Sequence, residues 1–337
     1  MTKAISIHAV VTSTSAYGDD TSLRPVGWTL LPFRWTWWVA LQIFSAVLGI
    51  VGNAIVIAVI ASRRSETQST GILIKALAVA DLLTSVFLIP IPTAMTVPST
   101  VLGEFYCRFI YPLYHRWVTV YASIYILTAT SVERYVAVAH PIYFNRFVTK
   151  RNVHVLVGIL WFLAAIVSGI GRFTNILDHK THTCQVKFYS YAGLIFTAIY
   201  LLSFGLLIPV VIMFVSQALV VCSLQRQSKV FKQQANNSTA PSFHLVARKR
   251  VIRLMMLVIA GFVICWTPIQ LYVFLFSVGV TPRSLFYGTP LFQTFIVLGF
   301  YNSCLNPIIY TMRHAKFRMA VKDLFSHTSK TSTGPVF

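Results

Sequence analysis

Asp81 is the only acid in the apolar run Leu77-Ala78-Val79-Ala80-Asp81-Leu82. A carboxylate among hydrocarbon side chains is costly unless a cation or hydrogen-bond donors meet it, so its presence points to function. Asn53, directly after Gly52, stands in a similar run, as does Asn302-Ser303-Cys304-Leu305-Asn306-Pro307-Ile308-Ile309-Tyr310. Glu133, Arg134 and Tyr135 are consecutive, and His140-Pro141 follows them. A carboxylate beside a guanidinium can hold a charge that would otherwise be buried without a partner. Phe262 is followed by Cys265-Trp266-Thr267-Pro268, where the Pro can kink a helix. No nucleophile–base pair and no metal-ligand cluster is visible in the sequence. The chemistry on offer is the holding of charge and the switching of conformation, not bond making.

The elements that must carry these residues follow from composition. Of 337 residues, 56% are hydrophobic and only 11% are charged, about half the charge of an ordinary soluble domain. The 28 Lys and Arg face 8 Asp and Glu, a formal +20. A nucleic-acid binder would carry such charge on a polar, exposed domain, and this chain is too apolar for that. Seven stretches reach the roughly 20 apolar residues needed to cross a bilayer. They lie near Trp37–Ala61, Ile72–Val97, Ile110–Ala139, Val153–Ile170, Tyr191–Leu224, Val251–Val278 and Phe286–Met312. Backbone polar groups have no water partners in lipid, so each is expected to be helical. Pro90, Pro92, Pro209, Pro268 and Pro307 are expected to mark kinks.

Counting Lys and Arg on the odd-numbered connections, with Arg253 at the very start of the sixth span, and on the C-terminal tail gives 17 against 8 on the other side. The positive-inside rule then puts the N-terminus outside and the C-terminus inside. The expected organisation is an outer segment 1–34, a seven-span body 35–312, a short amphipathic helix 313–325 and a loose Ser/Thr-rich tail 326–337. Phe317, Ala320, Val321, Leu324 and Phe325 share one side of that helix, and basic residues on the other suit an acidic inner leaflet. No internal repeat is apparent, and the polar residues inside the spans gather around Asp81 and at the inner face. Both points weigh against a channel or transporter, which wants a continuous polar path.

Five motifs, in order and each at the appropriate end of its span, make the chain resemble the rhodopsin-like G-protein-coupled receptors from about Trp37 to Phe325. The resemblance implies an all-α membrane protein, a seven-transmembrane helix bundle with an amphipathic helix after the seventh span. It implies that Arg134, held by Glu133 at rest, is freed on activation. Tyr135, Ile142, Asn306, Pro307 and Tyr310 then belong to the same inner switch. Ile124, Pro209, Phe262, Trp266 and Pro268 match the family's transmission residues, which plain core packing would explain nearly as well. Asp81, Ser123, Asn302 and Ser303 resemble its allosteric sodium pocket, where hard oxygen ligands suit a small cation. Of five cysteines, Cys107 and Cys184 fall on the outer side, where a disulfide forms readily, as in the family. Implied partners are a heterotrimeric G protein, receptor kinases and arrestin acting on the Ser/Thr tail, and the bilayer of the plasma membrane.

The chain also departs from the pattern. Gln217 stands eight residues after Pro209, where the family usually has a Tyr that helps hold the active state. The sixth span begins Ala247-Arg248-Lys249-Arg250, without the Glu that often locks Arg134. The interval from Cys107 to Arg134 is slightly longer than usual, so upper positions of the third span are placed only approximately. An opsin's Schiff-base Lys is missing from the seventh span, and an amine receptor's Asp from the third. The outer mouth is basic and aromatic instead, with Arg108, His115, Arg116, Trp117, Arg172, Lys187 and Arg283. Such residues favour carboxylates and rings. Alternation in Thr174–Tyr189 suggests a β-hairpin, and Cys265 to Leu271 resembles the opioid, galanin and kisspeptin receptor group. The expected ligand is a neuropeptide whose acidic group meets Arg116, Trp117, Gln270, Arg172 or Lys187. A small carboxylate or lipid ligand is the alternative.

Overall fold

A computed structural model describes residues 5–7, 27–62, 69–188, 190–234, 243–281, 289–313 and 315–326. Helices α1 (Trp37–Ser62) and α2 (Ser69–Phe87) pack side by side and provide the first two spans. The second ends ten residues before its expected limit. Pro90 and Pro92 terminate it and do not merely kink it, because each lacks an N–H and biases the residue before it away from helix. The chain continues into β3 (Ala94–Thr96), paired with β2 (Thr29–Leu30) from the N-terminal segment.

The third span is not one helix either. It begins as α3 (Val101–Phe105), widens into a π-helical turn at Tyr106–Ile110, and breaks at Leu113, which is left-handed with φ 56°. It restarts as α4 (Tyr114–Ala139). The π-helical turn and the break at Leu113 both fall between Cys107 and Arg134. Six described helices are long and apolar enough to cross a membrane, and α4 is not among them. It carries His115, Arg116, Glu133, Arg134 and a run of hydroxyl residues, and it can do so because it packs against α2, α6 and α9 and meets little lipid.

After α5 (Pro141–Phe147) come α6 (Lys150–Ser168) and the single turn α7 (Gly171–Thr174). The expected hairpin follows as β4 (Asn175–Asp178) and β5 (Thr183–Phe188). Ile5–Ile7 forms β1 and pairs with β5, giving the order β1-β5-β4. Two short pieces of the N-terminal segment, β1 and β2, are therefore tied to the outer face. The fifth span is α8 (Tyr191–Leu202), a π-helical turn at Ser203–Leu207 and α9 (Ile208–Gln234). Pro209 has no N–H to give, and just before it Ile208 bonds back five residues to the Ser203 carbonyl. Helices α10 (Phe243–Ser277) and α11 (Pro290–Arg313) contain Pro268 and Pro307. The short helix α12 (Ala315–Phe325) buries Phe317 and Ala320 against the bundle.

Candidate functional site

The bundle holds an outward cavity of about 440 Å³, floored by Trp266 and walled by Trp117, Tyr121, Gln270, Arg172 and Phe188. Of the sequence candidates for ligand contact, Trp117, Gln270 and Arg172 line it; Arg116 and Lys187 do not. Arg116 turns toward α11, its guanidinium 4.8 Å from the Phe300 ring centre. Lys187 sits in β5 opposite Ser6, while its neighbours Val186 and Phe188 face the cavity. His115 meets Phe87 edge-on at 4.7 Å. Arg283 lies outside the described residues. A Cys107–Cys184 disulfide, with its Cα atoms 5.2 Å apart, fastens β5 to the top of the third span and fixes this rim. At the hairpin's tip, the Lys180 backbone N–H holds the Asp178 carboxyl below the usual carboxylate range.

Beneath the cavity, Trp266, Phe262 and Ile124 belong to one continuous buried core, and Pro209 is buried on α9. Below lies the polar group around Asp81, which is wholly buried. Ser123 donates to its Oδ1 at 2.7 Å, and Asn306 donates to its Oδ2 at 2.9 Å. Asn302 and Ser303 are buried alongside on α11, and Asn53 donates to the Ser303 carbonyl at 3.0 Å, tying α1 to α11. One carboxylate among hydroxyl and amide oxygens is a donor set of hard ligands, which fits sodium and suits no soft metal.

At the inner end of α4, Arg134 grips Glu133 with two contacts, Nε to Oε2 at 2.6 Å and Nη2 to Oε1 at 2.7 Å. Ser69 and Thr70 also donate to Glu133 Oε1, at 2.8 and 2.9 Å. Sequence reasoning missed these two hydroxyls at the start of α2, since no spacing links them to Glu133. Tyr135 meets His140 at 3.2 Å. Tyr310 is buried with its ring 6.2 Å from Phe317 of α12. Pro141 opens α5 and leaves Ile142 82% exposed. The side chains of Ala247 to Arg250 lie outside the described residues.

A sequence model described as "7 transmembrane receptor (rhodopsin family)" matches residues 52–310. The chain belongs to that family. It is similar to the allatostatin-A receptor of Bombyx mori, 30% identical over 83% of this chain and 76% of that one. It is also similar to galanin receptor type 1 of Rattus norvegicus, at 28% over 85% of this chain and 82% of the relative. The Mus musculus galanin receptor type 1 matches at the same 28%, over 85% of this chain and 81% of its own length. In this rhodopsin-family receptor the Glu133–Arg134 pair and two of the cavity's lining residues, Trp117 and Tyr121, share one helix, α4.

Proposed function

We propose that the chain is a neuropeptide receptor of the plasma membrane, with its N-terminus outside, that passes binding in the cavity to a heterotrimeric G protein. One observation carries the reading: the packed core that holds Trp266 at the cavity floor with Ile124 and Phe262 runs along α4, the helix that ends in the Glu133–Arg134 pair. A ligand that prefers one position of α10 then shifts the same equilibrium that a protein at the inner face reads. The similarity to receptors named for allatostatin-A and galanin supports a peptide over an amine.

The test is a G-protein activation screen in cells with a peptide library, using Arg134→Ala as control. A peptide-dependent signal that Arg134→Ala abolishes supports the reading. Good surface expression without any peptide response, but with a response to a small carboxylate or lipid, replaces the peptide by that ligand class.

Two further roles belong to this reading. Asp81, Ser123, Asn302 and Ser303 hold a sodium ion that stabilises the resting bundle. Exchanging choline for sodium should then lower the unfolding midpoint of the purified receptor, and Asp81→Asn should remove that difference. Receptor kinases and arrestin act on Ser326, Thr328, Ser329, Thr331, Ser332 and Thr333, of which all but Ser326 lie outside the described residues.

A further inference from the structure

A run of large apolar side chains stands exposed just ahead of α1. Leu30 is 62% exposed and Trp35 74%, and Trp28, Leu31, Phe33 and Trp37 are each more than a third exposed. Arg34 is the only charge between Trp28 and Trp37. Apolar surface this dense marks a contact surface and not ordinary solvated chain.

The backbone beneath these side chains is fixed. β2 pairs with β3, the Leu31 N–H donates to the Thr93 carbonyl at 2.9 Å, and the Thr29 and Thr96 hydroxyls meet at 2.6 Å. Trp28 meets Tyr106 edge-on at 5.1 Å, and the Tyr106 hydroxyl accepts from the Ala94 N–H at 2.8 Å. The β2–β3 ribbon is thereby fastened to the top of the third span. Past Trp28, no described residue covers the large side chains that the ribbon and the chain after it present.

Two observations say what does cover them. The first is continuity with the lipid-facing side of α1. Trp37, Leu41, Phe44, Leu48 and Val51 are exposed and recur every three or four residues, one stripe along a helix apolar enough to cross a membrane. Trp37 closes the exposed run and opens this stripe, so Phe33 and Trp35 stand where the bilayer surface meets the start of α1. Trp suits that level, with an apolar body and one N–H for the wet side, and an Arg between them suits lipid phosphate. The second is that none of residues 28–37 lines the outward cavity, so a ligand held there is not what covers them.

We propose that residues 30–37 dock on the bilayer, lying in the headgroup region of the leaflet at the N-terminal end of α1 with Leu30, Leu31, Phe33 and Trp35 turned toward the acyl chains. With the N-terminus outside, as in the function proposed above, this is the outer leaflet. The consequence reaches the rim. The bilayer braces the β2–β3 ribbon, and the ribbon holds Tyr106, the neighbour of disulfide-bonded Cys107 and next but one to cavity-lining Arg108.

The experiment uses the full chain in phosphatidylcholine nanodiscs, and the difference in tryptophan emission between wild type and Trp35→Phe isolates Trp35. That emission should be quenched by phosphatidylcholine brominated high on its acyl chains and shielded from iodide in the water. Quenching by iodide and not by brominated lipid overturns the docking. Shielding from both quenchers means that protein covers Trp35, a second copy included, and overturns it too. For the brace, Phe33→Ser/Trp35→Ser should speed hydrogen exchange at the Leu31 and Ala94 amides at least about threefold in nanodiscs, as for local loosening, and leave β4 and β5 unchanged. Unchanged exchange at Leu31 overturns the brace. Failure of the proposed orientation looks different: antibodies reach an N-terminal tag only in permeabilised cells, yet brominated lipid still quenches Trp35.

Discussion

Gln217 carries an amide into the bundle at 2% exposure and leaves both Oε1 and Nε2 without a partner among the described residues. A buried polar group with no hydrogen bond costs about 1–3 kcal/mol. Gln217→Leu, close in volume and apolar, should therefore raise the unfolding midpoint of the resting receptor by an amount in that range. A lower midpoint would show that the amide is satisfied by water or lipid. Gly205 is the opposite case, a residue whose value is what it lacks. A methyl group there would lie 2.7 Å from Gln270 Nε2 and 3.3 Å from the Tyr121 hydroxyl. Both side chains line the cavity, so the π-helical turn of the fifth span brings bare backbone against the binding wall. Gly205→Ala should push them inward and cost about 1–3 kcal/mol of overpacking, which reads as a roughly tenfold or greater loss of agonist potency at unchanged surface expression. Unchanged potency would mean that Gln270 and Tyr121 yield without affecting the ligand.

Helices bring these residues together, and their interruptions were the least legible part of the sequence. Apolar length located the spans, and alternation in Thr174–Tyr189 gave the hairpin that β4 and β5 form. The motif residues Asp81, Ser123 and Asn306 could be read because a polar group in lipid has so few tolerable neighbours; the three meet within hydrogen-bond distance. The end of α2 at Phe87 was missed because an apolar run through Pro92 reads the same whether the prolines kink or stop it. The facing of Arg116 was illegible because it depends on where the helix breaks after Cys107. That happens at Leu113, whose left-handed backbone costs an ordinary L-residue roughly 1–2 kcal/mol. Two substitutions separate backbone strain from side-chain packing there. Leu113→Gly should leave the unfolding midpoint close to wild type, the relieved strain offsetting lost contact. Leu113→Val, β-branched in the same conformation, should lower it by at least about 1 kcal/mol. If Gly were the worse of the two, the Leu side chain and not the turn would be what holds the top of α4.

Across the whole molecule, cavity and switch sit at opposite ends of α4. Trp117 and Glu133 are separated by about 24 Å at a rise of 1.5 Å per residue, too far for direct contact. Coupling between them must be a shared equilibrium, and linkage then makes it reciprocal. Glu133 accepts from Arg134, Ser69 and Thr70 at once, and under the proposed function it is the group that holds the resting state. Glu133→Gln keeps the shape and removes the charge, turning a charge-assisted pair into ordinary hydrogen bonds. A loss of about 1.5–3 kcal/mol in the resting state alone would raise the open population by one to two orders of magnitude while that population is small. Ligand-free G-protein signalling should rise accordingly and vanish again in Glu133→Gln/Arg134→Ala. The sharper readout is at the other end. Agonist affinity in membranes without G protein should increase in Glu133→Gln, although no atom of the cavity has changed. Antagonist affinity, for a ligand indifferent to the two states, should stay fixed. If signalling rose with agonist affinity unchanged, the inner pair would gate access of the G protein alone, and the core from Trp266 through Ile124 and Phe262 would not carry the coupling.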